Sequence, residues 1–495
     1  MNFTAARYIV SVYKVKSGGG KNCKGSDKGE KKSLQSGKRY DIISGMKMKL
    51  FELWKLKYEK VDWARNPELG LIDTILEKNA YLYEIVASDI TAGNNDSVFG
   101  RGDTPSVEQI VRAAIYKEMK GYDYRELEYA QSDSRICEHF VKINPERPYS
   151  FQMYQKYISR ISEESFLKLM VEINKIAIRE GIEDLEKFRE DSTVVETNIH
   201  YPTNNSIMFD CIKESDRLLR HLKDEIEGFD YEDYVKEGKK TYYKINQPKN
   251  TGDKRVELFR KQLELFVKCI NQVSNTIKKK DEYKGNNGVI AIFGALIRVL
   301  PLMNIVYDMT YTREILGEQA PNDAKIFSIY ELHTDIIVKG QRKCKFGHKV
   351  DLGTGKSNLI LTCTILDENK NDGELFIPTV DALKRDYGAT PESIVTDGGY
   401  ASNKNRNHAV NAGTKNVVFN KITRSMKNIA SSESVEVELK SWRSGIEAVI
   451  SNLKRGYNLR RCTWKGLAHF KQKVFWSIIA YNIRVMTGYM LSQMA

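Results

Sequence analysis

The chain has 495 residues, 41% of them hydrophobic, with a net charge of +13 and a pI near 9.1. That length can bury a large core and suits roughly two to four domains, and the hydrophobic fraction is that of a soluble globular protein. So large an excess of cations points to a polyanionic partner, nucleic acid first and an anionic membrane second.

Residues 1–48 are biased toward Lys, Gly and Ser and read as a disordered basic leader, with Met46 and Met48 just before patterned sequence begins. An appended or mis-started leader and a DNA-binding arm both fit such a tail. A helical domain is predicted over 49–188. In "VEQIVRAAIYKEMKGYDYRELEYAQ" (107–131), Ile110, Val111, Ala114, Ile115 and Met119 share one face, with Arg112, Lys117 and Lys120 elsewhere. Short basic helices joined by tight turns suit helix-turn-helix DNA binding and a plain helical bundle about equally.

The period changes at 189–201, "REDSTVVETNIHY", where β-branched residues predict a strand opened by Asp191. A helical stretch follows over 204–324. Its most apolar run, "GVIAIFGALIRVLPLMNIVY" (288–307), is interrupted by Arg298, Pro301 and Asn304, and reads as a buried helix rather than a membrane span. Strands are predicted in "KIFSIYELHTDIIV", "KFGHKVDLG", "SNLILTCTILD", "SIVTDGGY" and "NVVFNK", with helices between them and a final helical region. The fold class is therefore an all-α N-terminal domain followed by a mixed α/β domain, 189–203 and 325–495, split by the helical insertion at 204–324.

"GTGKS" (353–357) has the look of a phosphate-binding loop, but position 350 is Val where that motif needs Gly, so a hairpin turn is predicted. The seven cysteines form no CxxC pair and no zinc spacing, which suits reduced thiols in the cytoplasm. The N-terminus lacks the apolar core and cleavage site of a secretory signal. His333 and His348 are predicted in strands, with core or hydrogen-bonding roles rather than metal ligation.

The chemistry concentrates in three carboxylates. Asp397 ends a hydrophobic strand and is followed by Gly-Gly, which leaves the backbone free to bring a ligand close. Glu447 lies on a helix whose apolar stripe is Trp442, Ile446, Val449, Ile450 and Leu453. Arg443, Glu447 and Lys454 fall within an arc of roughly 40° on the adjacent face. From Ala448 to the C-terminus there is no acidic residue but eight Lys and Arg, among them Lys454, Arg455, Arg460, Arg461 and Lys465. An Arg443–Glu447 ion pair on a solvated face would explain the helix alone. Asp191 and Asp397 on strands and Glu447 on a helix instead supply hard oxygen donors of the kind that hold two divalent cations for phosphodiester cleavage. Arg443, Lys454, Arg455, Arg460, Arg461 and Lys465 would then hold DNA phosphate.

"DSTVVETNIHYP", "FGHKV", "DGGYASNKNR" and "GIEAVISNLKRGYNLRRCTWKG" resemble the DDE transposases of bacterial insertion sequences, particularly the ISNCY-like group. The likeness runs from about 60 to 490 in the family's order. The helix matches Arg-x3-Glu-x6-Lys at Arg443, Glu447 and Lys454, and Lys440 stands where members often carry Tyr. The resemblance implies an RNase H-like catalytic fold with an inserted helical subdomain. It also implies Mg²⁺ or Mn²⁺ and a homodimer or higher multimer on DNA, with no membrane partner. The expected activity is binding of terminal inverted repeats, cleavage at the element's ends and strand transfer. An RNase H-fold nuclease without strand transfer, or an inactive DNA-binding relic, would share these motifs.

Overall fold

A computed structural model describes residues 63, 66–92, 104–144, 147–282, 287–319, 321, 325–338, 344–368, 370–422 and 426–494. The leader read over 1–48 lies outside the described residues.

Helices α1 (Pro67–Lys78), α2 (Tyr81–Thr91), α3 (Val107–Lys120), α4 (Tyr124–Asp133), α5 (Arg135–Val141), α6 (Phe151–Ile158) and α7 (Glu163–Arg179) come first. Their boundaries follow local chemistry: Ser106 and Asp123 each close a capping box, and Gly121, at φ +69°, ends α3. Arg112 and Lys117, expected away from the apolar face of α3, are buried. Burial is tolerated because each charge meets a carboxylate. Arg112 reaches Asp73 and Glu77 at 2.6 Å and Glu108 at 2.9 Å, and Lys117 reaches Glu118 at 3.0 Å.

Strand β1 (Lys187–Thr197) is central to a seven-stranded mixed sheet. Along one edge it pairs antiparallel with β3 (Lys345–Thr354), which pairs in turn with β2 (Asp335–Ile337) and β4 (Ile360–Ile365). Along the other edge it runs parallel to β5 (Ser393–Thr396) and the short β7 (Arg461–Cys462), and β6 (Asn416–Phe419) extends the parallel half beyond β5. Parallel neighbours need crossovers. Helix α12 (Phe376–Tyr387) leads into β5, and α13 (Asn403–Asn411) connects β5 to β6. Helices α14 (Glu433–Arg443), α15 (Gly445–Gly456) and α16 (Leu467–Met494) complete the chain.

Of "KIFSIYELHTDIIV" only Asp335–Ile337 is strand, and His333 stands in the turn before it. The "GTGKS" stretch does form the turn between β3 and β4. The N-terminal helices share one core with the sheet and α16. The Phe166 ring lies 5.6 Å from Phe475 and edge-on to Trp476 at 5.1 Å.

Between β1 and β2 lie α8 (Asn204–Glu225), α9 (Val235–Ile245), α10 (Gly252–Lys278) and α11 (Asn287–Glu314), built around a second core that includes Leu219, Phe259, Phe266, Leu296 and Met303. The apolar run expected to be buried forms most of α11, yet only 28% of its most apolar 18-residue window is buried. By length and composition α11 could cross a membrane. Here one side of it packs on α8 and α10.

Candidate active site

Asp191 does not open its strand: it is the fifth of eleven residues in β1. The strand begins earlier because Lys187 to Glu190 pair in parallel with Ser393 to Thr396. The last pair is Glu190 with Thr396, so Asp191 and Asp397 are the next residues on adjacent strands. Asp397 caps a short 3₁₀ turn, Gly398–Tyr400, accepting from Gly398 N at 2.8 Å. The glycine after it serves chain packing rather than an open approach for a ligand. A Cβ on Gly398 would stand 2.6 Å from the Asn420 carbonyl oxygen and 2.9 Å from that of Lys421.

The expected single helix is two. Arg443 is the last residue of α14, and Glu447 lies in the first turn of α15. Arg443 Nη2 donates to Glu447 Oε1 at 3.1 Å while Nη1 donates to Asp191 Oδ2 at 3.4 Å. The Arg443–Glu447 ion pair is therefore present, and the same guanidinium also gathers the strand carboxylate. Side-chain exposure is 11% for Arg443, 21% for Asp191 and 65% for Glu447. Glu447 thus has the freedom to move, and Asp191 is held.

The junction between the two helices is fixed from below by Arg189, two residues before Asp191. Its buried guanidinium donates to the Trp442 carbonyl at 2.5 Å and to Thr354 Oγ1 at 3.0 Å, and also to Asn358. It stacks 4.4 Å from the Trp442 ring centre. Burial pushes its pKa down to about 10. Gly445 makes room for it, since a Cβ there would lie 2.2 Å from Arg189 Nη1.

Alternation along β1 sends Glu190 and Ser192 to the other face. Burial, then the neighbouring Asp351 carboxylate, pushes Glu190 well above the usual carboxylate range. Burial likewise raises Asp351 to about 6. Tyr400 Oη donates to Asp351 Oδ1 at 2.5 Å, and Ser192 Oγ donates to Asp372 Oδ1 at 2.9 Å. Tyr400 thereby ties the turn after Asp397 to β3. Sequence reasoning alone misses Arg189, Glu190, Asp351 and Tyr400.

The basic tract divides. Arg455, Arg460, Arg461 and Lys465 are exposed, and Lys454 is half-buried. Arg461 also reaches Glu196 at 3.3 Å. The cations further along are structural. Lys471 pairs with Glu163 and Asp367 at 2.9 Å, Arg484 with Glu68 at 2.7 Å, and Lys473 with the buried Glu118. A run without acids in sequence is thus answered by acids from α1, α3 and α7. His333 and His348 form a hydrogen-bonded chain as expected: Glu331 Oε2 to His333 at 2.7 Å, His333 to His348 at 2.7 Å, and His348 to the Leu366 carbonyl at 2.9 Å.

Asp191 and Glu447 offer hard oxygens to one cationic group, and a divalent ion suits the same donors. Among the described residues, no three His, Cys, Asp or Glu side chains already stand together as a metal site. The donor chemistry of Asp191 and Glu447 suits such an ion, and in this structure Arg443 bonds both carboxylates.

No curated protein and no solved structure matches the chain. Residues 323–483 match the family model described as Transposase DDE domain, so that segment of the chain is similar to the DDE transposases.

Proposed function

We propose that the protein binds the terminal inverted repeats of its own element, cleaves at the ends and joins the freed 3′-hydroxyl to target DNA. The carrying observation is that one guanidinium, Arg443, joins two carboxylates far apart in sequence by bonding both Asp191 and Glu447, with Asp397 next in the parallel register. The strand order, antiparallel on one side of β1 and parallel on the other, supports an RNase H-like sheet interrupted by the helices at 204–324. The motifs support placement near the ISNCY-like group.

In this reading Asp191, Asp397 and Glu447 hold Mg²⁺ or Mn²⁺. Two such ions, when bound, activate the attacking oxygen and stabilise the leaving one. Asp191 and Asp397 keep their oxygens aimed from adjacent strands. Glu447, the most exposed of the carboxylates, closes toward them as Arg443 turns its guanidinium to the phosphate. Lys454, Arg455, Arg460, Arg461 and Lys465 hold the backbone, and the helices over 63–188 read the repeat. The protein acts as a homodimer or higher multimer on DNA in the bacterial cytoplasm, at the nucleoid.

Labelled element ends incubated with the protein and Mn²⁺ test this. Cleavage mapped to the ends, with a joined product, is the expected result. Cleavage without joining would make the protein a nuclease, and binding without either would make it a relic.

A further inference from the structure

The "GTGKS" turn between β3 and β4 does cradle an anionic group, and the group belongs to the chain itself. Glu183, in the segment between α7 and β1, is 2% exposed, and its carboxyl group lies in that turn. Its Oε2 accepts from Ser357 N at 2.9 Å and from Ser357 Oγ, and its Oε1 accepts from Lys356 N at 3.3 Å. Oε1 also accepts from Asp184 N at 3.2 Å and from Leu185 N at 3.1 Å. Successive backbone N–H groups turned to one side make a concavity for anions, as phosphate-binding loops do. Gly355 leaves the space for it, since a Cβ there would stand 2.5 Å from the Glu183 carboxyl carbon.

One carboxyl group thereby fixes two segments, and both lead to Arg189. The first is the entry to β1. Leu185, at φ +58°, lies in the left-handed region that a leucine adopts only where its surroundings impose it, and Arg189 follows four residues later. The second is the turn itself, where Asn358 is at φ +69°. Thr354 Oγ1 and Asn358 Oδ1 are two of the three acceptors of the Arg189 guanidinium, the third being the Trp442 carbonyl. Lys356 and Ser357, whose N–H groups Glu183 holds, lie between those two acceptors in the chain. A shift of the turn therefore displaces both acceptors together. The Lys356 ammonium adds only exposed pairs, to Asp184 at 2.7 Å and Glu186 at 3.2 Å.

We infer that Glu183 is a positioning residue for end cleavage. It sets the turn and the strand entry that aim Arg189, and through Arg189 the helix junction that presents Arg443 and Glu447. Glu183→Gln keeps the shape but turns an amide NH₂ toward backbone N–H donors, so one of the two segments has to let go. The consequence for cleavage rests on the catalytic reading above, whereas the coupling to the junction does not.

Hydrogen exchange of the full chain, read by mass spectrometry, measures that coupling without DNA or metal. Glu183→Gln should speed exchange about tenfold or more over residues 354–359 and also over residues 442–447. Arg189→Met should speed it at the junction, and the double variant should add nothing there, because both changes act on one contact. Single-turnover end cleavage should fall about tenfold or more in Glu183→Gln with end binding unchanged, and no further in the double variant. Lys356→Ala should behave as wild type in both measurements. Ser357→Ala removes one of the five donors, should show the same pattern more weakly, and carries the test if Glu183→Gln does not fold. Faster exchange confined to the turn, or losses that add in the double variant, would overturn the inference. Faster exchange at the junction, in a chain whose wild type does not cleave, would uphold the coupling and bring down the catalytic reading instead.

Discussion

Arg189 lies over the Trp442 ring, 4.4 Å from its centre, and donates to the carbonyl of the same residue. Through that pair the strand carrying Asp191 is fastened to the helix junction that presents Arg443 and Glu447. Replacing Arg189 by Met removes the fork and leaves the Trp442 carbonyl without its donor, at a cost of about 1–3 kcal/mol. Single-turnover end cleavage should fall by at least tenfold while end binding changes little. Arg189→Lys should not rescue cleavage, because an ammonium neither stacks nor spans three acceptors. Unimpaired cleavage by Arg189→Met would reduce the residue to a structural part.

The three carboxylates should fail together and for one reason. Asp191→Asn, Asp397→Asn and Glu447→Gln keep shape and remove the charge that a divalent cation needs. Each is expected to abolish cleavage with end binding largely intact, measured by gel shift and by product formation in Mg²⁺ and Mn²⁺. Wild-type cleavage by any one variant would remove that residue from the site.

Gly398 links sequence to geometry just after Asp397. Its missing side chain lets the turn pack on the Asn420 and Lys421 carbonyls. Gly398→Ala should force that turn outward, costing roughly 1–3 kcal/mol. Cleavage should drop further than stability does, because Asp397 moves with the turn. Equal cleavage at a lowered melting temperature would show that the position of Asp397 is set elsewhere.

Much of the sheet is legible in the sequence because its strands are short apolar runs with β-branched residues and turn signals at their ends. The three carboxylates are legible because two end or interrupt such runs and one precedes a conspicuous basic tract. Arg189 and Glu190 are not, because their meaning lies in residues distant along the chain, such as Thr354 and Trp442 for Arg189. The start of β1 escapes local reading for the same reason: Lys187 to Glu190 are strand because β5 lies beside them, and β3 beside Arg189 and Glu190. Burial of Arg112 likewise depends on Asp73 and Glu77 of α1, which local periodicity cannot show.

Glu118 makes the packing of α3 on α16 sensitive to acid. Burial alone would raise its pKa, but the ammonium groups of Lys473 and Lys117 hold it below the ordinary value. A carboxylate depressed in the folded state contributes stability above its unfolded pKa, and that contribution is lost as pH falls through the folded value. Glu118→Gln should therefore cost about 3–5 kcal/mol at pH 7, since it strands two buried cations. The difference from wild type should shrink below about pH 4. Denaturant midpoints at pH 7 and pH 3.5 would measure this, and a pH-independent difference would mean that Glu118 acts through packing alone.

The basic tract should separate by role. Arg455, Arg460 and Lys465 are exposed, whereas Lys473 and Arg484 are engaged with Glu118 and Glu68. A cation bound to backbone phosphate displaces counterions, so removing one such cation should flatten the log–log salt dependence by roughly one unit. Replacing Arg455, Arg460 and Lys465 by Ala should weaken binding to specific and scrambled duplexes alike and lower the slope by roughly three. Lys473→Ala should do neither at permissive temperature, but should lower the melting temperature by leaving Glu118 short of a partner. Sequence discrimination should persist in the triple variant if the helices over 63–188 read the repeat. An unchanged slope in the triple variant would mean that these side chains only coat the surface. A loss confined to the specific duplex would move base readout to the segment after Glu447.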